Sequence, residues 1–234
     1  MSFFSQRSLF AFFIPLAIWI LFSFWSAELD IKVSRLFYKH GNFSESPFWN
    51  WIYVYALVPG WILAGMAIIG FCLSFVRWSF LRLPCFYLIL TLAIGSGAIV
   101  HGVLKEYWGR PRPKQVSEFG GVQTFRPYYA PSFSQPSEPS KSFASGHASM
   151  GFYFFSLALL GSIYRSRWIF WIGIGMTFVL GSLLSLARIA QGGHFLSDTI
   201  AAALIMWLTA YALAYLIFKE RSKRSNERLN AKTK

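Results

Sequence analysis

The stretch from Arg188 to Asp198 gathers a cation, an imidazole and a carboxylate between two long apolar runs. His194 and Asp198 are four residues apart, so a helix that begins near His194 would place both side chains on one face. The carboxylate can accept the proton of one ring nitrogen and leave the other nitrogen free as a base or a nucleophile. The Gly192-Gly193 pair before the imidazole allows a tight turn or the close approach of a ligand. Ionisable groups at the edge of a membrane-spanning run indicate a functional site.

Two further polar clusters lie beside apolar runs. Lys105 ends the third run and is followed by Gly-Arg-Pro-Arg-Pro at residues 109–113, and Ser145-Gly146-His147 begins the fourth. Together with the first stretch, they hold several cations, two imidazoles and a carboxylate. Phosphoryl transfer needs this inventory, because the non-bridging oxygens and the spreading charge of the transition state require several fixed cations.

Each of these residue types has a use in that chemistry. Lys105, Arg112 and Arg188 can bind phosphate oxygens, and the two arginines can do so through two-point contacts. The backbone N–H groups of Ser145 and Gly146 would lie at a helix N-terminus, where anions bind. One imidazole can attack phosphorus while the second protonates the leaving oxygen. No cluster of acidic or Cys ligands accompanies them, so we expect neither a metal nor another cofactor to be required.

The composition predicts a membrane protein, because 55% of the 234 residues are hydrophobic, only 13% are charged and 25 are Phe. The net charge of +13 could also suggest nucleic acid, but the basic residues lie in loops and at one terminus. Anionic lipid and a phosphate-bearing substrate explain the charge better. We therefore expect no nucleic-acid partner and no obligate protein partner.

Six apolar stretches are long enough to cross the ~30 Å of membrane hydrocarbon as helices. They predict an all-α integral membrane protein, a six-transmembrane helical bundle forming one membrane-embedded domain over residues 1–218. The stretches cover residues 8–27, 51–76, 83–104, 143–163, 168–190 and 198–218. The remaining segment 219–234 carries seven Lys or Arg against two Glu, and we predict a disordered cytoplasmic tail that contacts anionic lipid.

Positive charge in the short loops assigns the two sides of the membrane. An even number of spans puts both termini on one side, together with the two short loops that contain Arg. Such loops mark the cytoplasm, so both termini are predicted to be cytoplasmic. The other side receives residues 28–50, the long loop 105–142 and residues 191–197. His147 and His194, 47 residues apart, are separated by one helix down and one helix back, so both imidazoles reach that second side.

In chain order, the polar clusters read Lys105-x6-Arg112-Pro113, then Ser145-Gly146-His147, then Arg188-x5-His194-x3-Asp198. This order and spacing resemble the three-part signature of the type 2 phosphatidic acid phosphatase family. The members of that family are integral-membrane lipid phosphate phosphatases, and they share an all-helical core with vanadium-dependent haloperoxidases. The resemblance covers roughly residues 83–218 and implies the same core for this chain.

The resemblance also implies a role for each matching residue. His194 would be the nucleophile that forms a phosphohistidine, Asp198 would orient it, and His147 would be the general acid for the leaving alcohol. The phosphate would be held by Lys105, Arg112, Ser145, Gly146 and Arg188. The implied reaction is hydrolysis of a phosphate monoester on a lipid headgroup, without a metal. It would take place at the periplasmic face of the bacterial cytoplasmic (inner) membrane.

Within the family, residues 108–113, 147–152 and 191–195 are most similar to bacterial lipid A phosphatases, which makes lipid A the expected substrate. Phosphatidylglycerophosphate phosphatase and undecaprenyl diphosphate phosphatase share the same core and stay as alternatives. Transfer of the phosphate from one lipid to another is a further enzymatic alternative. The non-enzymatic alternative is a lipid-binding or transport protein with a degenerate site, and the intact pair of imidazoles with their carboxylate argues against it.

Two ionisable residues near these clusters, Arg110 and His101, are predicted to have no part in the chemistry. Arg110 does not have the motif spacing that Arg112 has. We therefore predict that Arg110 is a charge at the flank of the third span, whose side chain extends to the membrane interface. His101 lies within the third span and is predicted to have a structural role. Asp30 belongs to residues 29–37, whose helical spacing of apolar residues predicts a short helix lying in the headgroup plane.

Overall fold

The computed structural model describes residues 6–133 and 140–232, and side chains within residues 10–133 and 140–219. Residues 134–139 of the predicted long loop and the last two residues of the predicted tail lie outside the described residues. Within the described ranges the chain is helical, with isolated β-bridges and no sheet, which confirms the predicted all-α class. The helices are α1 (Gln6–Phe37), α2 (Pro47–Tyr55), α3 (Val58–Leu73), α4 (Arg82–Thr91), α5 (Lys105–Tyr107), α6 (Gly146–Phe152), α7 (Phe154–Ile163), α8 (Arg167–Ala190) and α9 (Leu196–Lys232), with a π-helical segment at Leu92–Leu104.

Six helical stretches of the described chain are long and apolar enough to cross a membrane, which confirms the predicted number of spans. In hydrocarbon every backbone N–H and C=O must find its partner within the protein, so these apolar runs fold as helices. The stretches cover Phe10–Phe37, Pro47–Leu73, Ser79–Tyr107, Gly146–Ile163, Arg167–Ala190 and Leu196–Lys219. The protein is therefore an integral membrane protein.

The first helix is longer than predicted. α1 is continuous over Gln6–Phe37, so the prediction of a separate interfacial helix at residues 29–37 is wrong. Neither Gly nor Pro interrupts residues 16–37, and Ser26, Asp30 and Ser34 recur every four residues on one helix face. All three side chains are fully buried, so this polar stripe packs into the bundle and does not lie among lipid headgroups.

The pair α6 and α7 packs closely on α8, and this contact positions two of the three polar clusters. A Cβ atom built on Gly151 of α6 would lie only 2.6 Å from the backbone nitrogen of Gly181 in α8. The two antiparallel backbones thus meet without intervening side chains, as small residues allow between membrane helices. The start of α6 and the end of α8 consequently lie side by side.

The third span changes from α-helix to π-helix at Leu92 and keeps that form to Leu104, immediately before Lys105. π-Helical turns are usually short and occur frequently at functional sites. In this segment the Nδ1 atom of His101 lies 2.8 Å from the carbonyl oxygen of Ser96, five residues earlier. The His101 ring is therefore held by its own helix near the point where the span reaches Lys105.

The last helix extends beyond the final apolar run. α9 continues to Lys232, past the end of the sixth apolar run, and the disordered cytoplasmic tail over residues 219–234 stays a prediction. That part of the chain has no Gly or Pro and is rich in Lys, Arg and Glu, which have high helix propensity. The helix therefore does not stop where hydrophobicity stops.

The described part of the long loop 105–142 packs onto the bundle. Short 3₁₀ turns form at Pro113–Gln115 and Ser117–Phe119, and Phe119 and Tyr128 are buried. The indole Nε1 of Trp108 donates to the carbonyl oxygen of Tyr128 at 2.7 Å, and the Tyr128 hydroxyl is hydrogen-bonded to the Ser23 hydroxyl of α1. The loop is thereby fixed against α1, next to the residues it presents to the site.

Candidate active site

His194 lies in the turn between α8 and α9 and is 1% exposed. Its Nδ1 atom is 2.6 Å from the carbonyl oxygen of Ser142. A carbonyl oxygen can only accept, so Nδ1 carries the ring proton and donates it, and Nε2 keeps its lone pair. This tautomer makes Nε2 the nucleophilic atom of the ring.

Asp198 supports His194 less directly than the spacing predicts. The closest approach is 3.6 Å, between Nδ1 and Oδ2, which is an ion-pair distance and longer than a hydrogen bond. Oδ2 instead accepts from the Ser142 hydroxyl at 2.6 Å and from the backbone N–H of Phe195 at 2.8 Å. Asp198 therefore positions the imidazole mainly through Ser142, whose carbonyl oxygen receives the ring proton.

Burial lowers the pKa of His194 to about 4, although the Asp198 carboxylate opposes the change. The neutral, nucleophilic ring is therefore kept well below the ordinary His pKa of about 6.5. We expect the ring to titrate near pH 4, so the reactive form is lost only as pH falls through about 4. Between about 4 and 6.5 the unfolded chain binds this proton and the folded chain does not, so folding stability falls with falling pH in that window.

The measurement is an NMR titration of the labelled His194 ring in detergent-solubilised protein, with the signal assigned by its absence in His194→Asn. A midpoint near 6.5 would contradict the expected shift, because the ring would then behave as solvent-exposed.

His147 lies in the first turn of α6 and joins the same site. Its ring stacks on that of Tyr53 from α2, with centroids 4.2 Å apart and planes inclined by 17°. The guanidinium carbon of Arg188 lies 4.9 Å from the centroid of the same Tyr53 ring. The charges of Arg188, His194 and Lys105 all act on His147, so the two imidazoles and the cations form one electrostatic cluster.

Two of the cations in this cluster each have a buried N–H donor without an acceptor among the described residues. Lys105, Arg112 and Arg188 repel one another electrostatically, as expected for cations that face a common point. The Nε atoms of Arg112 and Arg188 are buried and have no hydrogen-bond partner among the described residues. A buried N–H without an acceptor is costly, so an anion bound between these cations would satisfy both donors.

The start of α6 also belongs to the cluster. A Cβ atom built on Gly146 would lie 2.3 Å from His101 Nε2 and 3.3 Å from Lys105 Nζ, so both side chains rest on the Gly146 backbone. The N–H of Ser145 donates to the carbonyl oxygen of Asp198 at 3.1 Å, and its hydroxyl caps α6 by accepting from the Ala148 N–H. The Ser145 N–H thus serves the fold, while its hydroxyl still has a proton to donate, so Ser145 and Gly146 both stay predicted phosphate-binding residues.

Gly193 provides the space that the Arg188 guanidinium occupies. A Cβ atom built there would lie 2.1 Å from Arg188 Nη2. We expect Gly193→Ala to leave the fold intact, because the displaced atoms are the end of a flexible side chain, and to lower kcat/KM on the order of 10²-fold by moving a phosphate donor. Gly175→Ala in α8 is the matched control, since a Cβ there meets nothing within 4 Å. Equal kcat/KM values for the two variants would contradict this role of Gly193.

Arg110 is not the interfacial flank charge that the sequence predicts. It is 1% exposed and lies between two buried carboxylates. Nη2 donates to Asp30 Oδ2 at 2.7 Å, and Nη1 donates to Asp198 Oδ1 at 2.5 Å and to the Ser197 hydroxyl at 2.7 Å. Nε donates to the carbonyl oxygen of Arg126 at 2.9 Å. A buried guanidinium needs such a set of acceptors, and the fold supplies them.

Asp30 brings α1 into this network. Its carboxylate also accepts from the Ser197 N–H at 2.8 Å and from the Ser197 hydroxyl at 2.6 Å. Although burial opposes the charge, the carboxylates of Asp198 and Asp30 raise the pKa of Arg110. One buried cation therefore links α1 and the long loop to the start of α9, directly behind His194.

The structure places the eight predicted site residues in one cluster, and their roles stay predictions. Four further residues that contact the cluster were not predicted. These are Asp30, Arg110, Tyr53 and Ser142. The sequence did contain an indication for Asp30, because a carboxylate on a long apolar helix usually marks a functional site. Tyr53 and the Ser142 carbonyl oxygen carry no signal, since aromatic residues and backbone groups occur throughout the chain. Among the described residues no group of three or more His, Cys, Asp or Glu side chains is placed to hold a metal ion.

The sequence profile described as PAP2 superfamily matches residues 86–222. The chain belongs to the PAP2 superfamily. This membership confirms the family inferred from the three clusters, and the match begins in α4 and ends in α9. α1, which supplies Asp30, and α2, which supplies Tyr53, lie outside the matched range.

Three curated relatives of this PAP2 protein carry the name lipid A 4'-phosphatase. The protein from Francisella tularensis subsp. novicida (strain U112) is 32% identical over 140 residues, which cover 60% of this chain and 61% of that protein. The protein from Rhizobium leguminosarum is 31% identical over 137 residues, covering 58% of this chain and 56% of the relative. The protein from Rhizobium etli is 29% identical over 136 residues, covering 58% and 51%. The matched part thus spans between 51% and 61% of the relatives' lengths, and no solved structure matches the chain.

Proposed function

We propose that the protein is an integral-membrane lipid phosphatase, a phosphoric monoester hydrolase that acts through a phosphohistidine at His194. The observation that carries this proposal is the free Nε2 of His194 beside three clustered cations, in a chain of the PAP2 superfamily. Residues 1–218 would form the membrane-embedded phosphatase domain, and the basic segment 219–234 would contact anionic lipid.

In the first step, the lone pair of His194 Nε2 attacks phosphorus and the bond to the ester oxygen breaks. The negative charge of the bound phosphate favours the protonated form of His147, which gives its proton to that oxygen, so the lipid leaves as an alcohol. Lys105, Arg112 and Arg188 bind the non-bridging oxygens, whose charge redistributes in the transition state. The His194 ring becomes cationic when Nε2 bonds to phosphorus, and the nearby Asp198 carboxylate stabilises that charge.

In the second step, water attacks phosphorus and the bond from phosphorus to Nε2 breaks. His147, now neutral, accepts the proton of the water, and the electron pair returns to Nε2. Inorganic phosphate leaves, and both imidazoles regain their starting protonation. One imidazole thus forms the covalent bond, and the other moves the proton in both directions.

An apolar cavity supports a lipid as the leaving alcohol. The cavity has a volume of about 410 Å³ and reaches His147 and Gly146 at the phosphate site. Its apolar lining comes from the second and third spans and from α6: Leu57, Trp61, Leu92, Ala93 and Met150. A hydrocarbon chain gains ~25 cal/mol for each Å² that it removes from water, so such a lining favours an acyl or prenyl chain.

We propose lipid A as the substrate, because the three relatives reported above carry the name lipid A 4'-phosphatase. The test is release of inorganic phosphate by the purified full-length protein in detergent, with products identified by mass spectrometry. Lipid A, phosphatidylglycerophosphate, undecaprenyl diphosphate and phosphatidic acid are offered separately, and vanadate is expected to inhibit as an analogue of the transition state. A labelled donor with a lipid acceptor separates hydrolysis from phosphotransfer. The absence of phosphate release from all four lipids would overturn the proposal.

We also propose that the protein resides in the bacterial cytoplasmic (inner) membrane, with both termini cytoplasmic and the site facing the periplasm. The support is the positive charge of the short loops and of the segment after the sixth span. A fusion of alkaline phosphatase after Lys234 is expected to be inactive, and a fusion of green fluorescent protein there is expected to fluoresce. The opposite pair of results would place the site in the cytoplasm.

A further inference from the structure

A second, polar cavity adjoins the phosphate site. It has a volume of about 680 Å³ and shares Tyr53, Arg188 and Gly193 with the site described above. The remaining walls come from the segment between α1 and α2 and from the start of the long loop: Tyr38, Gly41, Asn42, Phe43, Ser44, Glu45, Asn50, Lys114, Phe119, Gly120 and Gln191. The first of these wall segments precedes the part of the chain that matches the PAP2 profile.

Hydrogen bonds fix these walls to the catalytic turn. The Ser44 N–H donates to the carbonyl oxygen of Ala190 at 3.0 Å, and the Lys114 N–H donates to that of Gly192 at 3.2 Å. Both anchors lie within four residues before His194, at the end of α8 and in the turn that follows it. A molecule held by these walls is therefore held at a set distance from the nucleophile.

Hydrogen-bonded side chains connect Arg188 of the phosphate site with the polar cavity. Arg188 Nη1 donates to Gln191 Oε1 at 2.9 Å, and Gln191 Nε2 donates to Asn50 Oδ1 at 2.8 Å. Amide groups both donate and accept, so they suit a ligand whose own groups do both. A phosphate bound at Arg188 and a polar group bound at Asn50 can thus belong to one molecule.

The cavity lining combines amides with aromatic rings. The rings of Tyr38, Phe43 and Phe119 contact one another with centroids 5.2 to 5.3 Å apart, beside Asn42 and Glu45. Amide and carboxylate groups bind hydroxyls, and aromatic rings pack against apolar C–H faces. A sugar ring has both kinds of surface. The volume falls within the ~300–1,000 Å³ of sites that enclose a whole small molecule.

We propose that this cavity binds a sugar ring that bears the scissile phosphate, which makes the substrate class phosphorylated glycolipids. The inference rests on the proposed phosphatase activity and adds a specificity site outside the family-matched segment. The same cavity would then disfavour phospholipids with small headgroups, because they leave the amide and aromatic walls unused.

The experiment compares kcat/KM for a phosphorylated glucosamine lipid with kcat/KM for phosphatidic acid. The exposed pair Asn42→Ala with Glu45→Ala is expected to lower the ratio of the two values about tenfold, the effect of losing one or two hydrogen bonds. Glu118→Ala is the matched control, since this exposed carboxylate of the long loop precedes the lining residue Phe119 without lining the cavity itself, and the ratio is expected to stay unchanged. An unchanged ratio in the double variant would overturn the proposal.

A binding measurement without turnover separates this inference from the phosphatase proposal. His194→Asn protein in detergent is titrated with a phosphate-free glucosamine lipid and, separately, with diacylglycerol. The glucosamine lipid is expected to bind more tightly, and the Asn42→Ala, Glu45→Ala pair is expected to weaken its binding about tenfold. Equal binding of the two lipids, or unchanged binding in the Asn42→Ala, Glu45→Ala double variant, would contradict sugar binding in this cavity even if phosphate release is observed. Binding as expected without phosphate release would sink only the phosphatase.

Discussion

His194→Asn is expected to lower kcat for phosphate release on the order of 10⁴-fold or more, because the substitution removes the only atom proposed to form the covalent bond. The asparagine amide can still donate to the Ser142 carbonyl oxygen, so the fold is expected to survive. The same substitution at exposed His40 is the matched control. Residue 40 has a positive φ of 52°, a conformation that Asn tolerates. Retention of full activity by His194→Asn would end the phosphohistidine mechanism.

The role of the second imidazole can be separated from that of the first. His147→Ala is expected to slow hydrolysis of a lipid phosphate about 10²- to 10⁴-fold, because the leaving alcohol then departs without a proton. With p-nitrophenyl phosphate, whose leaving group needs no proton, the first step is expected to proceed. Labelled phosphoenzyme should then accumulate, since the water of the second step lacks its base. Loss of both steps to the same degree would contradict an acid–base role for His147.

Arg110→Met is expected to destabilise the protein by about 3–5 kcal/mol, because it leaves two carboxylates buried without their cation. The contacts concerned are those of Nη2 with Asp30 and of Nη1 with Asp198. Thermal unfolding in detergent measures the effect, and Arg126→Met is the matched control because that side chain is exposed. Adding Asp30→Asn to Arg110→Met is expected to restore part of the loss, since one unpaired charge is removed.

Arg112→Met should behave differently from Arg110→Met, although only one residue separates them. Arg112 has a buried Nε without a partner among the described residues, so its loss removes a phosphate donor and leaves no carboxylate unpaired. We expect a fall in kcat/KM on the order of 10²-fold with little change in unfolding temperature. If Arg110→Met unfolded like the Arg126→Met control, the buried network would not hold the site together.

The sequence predicted the six spans and the common membrane face of the clusters because both follow from local properties. Hydrophobicity over about 20 residues decides whether a helix crosses the bilayer, and counting the crossings then assigns sides. Helix ends were less predictable. α1 extends through Asp30 to Phe37 since its polar residues face the bundle interior, and hydropathy cannot tell a buried polar stripe from a solvated one.

The different surroundings of Arg110 and Arg112 could not be predicted from the sequence. Both lie in the same Pro-containing pentapeptide, and motif spacing singled out Arg112 alone. The long loop buries one guanidinium between carboxylates from α1 and α9 and leaves the other beside Lys105 and Arg188. Which arginine meets which charge depends on contacts 80 or more residues apart, and no local pattern encodes them.

By itself, the sequence determined that the protein spans the membrane six times and carries two imidazoles, a carboxylate and several cations to one face, because periodicity and spacing express those features directly. Only the tertiary structure decided that the Ser142 carbonyl, not Asp198, receives the proton of His194, and that Tyr53 of α2 stacks on His147. It also decided that Asp30 of the first helix contacts Arg110 and Ser197. Those contacts join segments far apart in the chain, so close packing of the helices selects them and residue type does not.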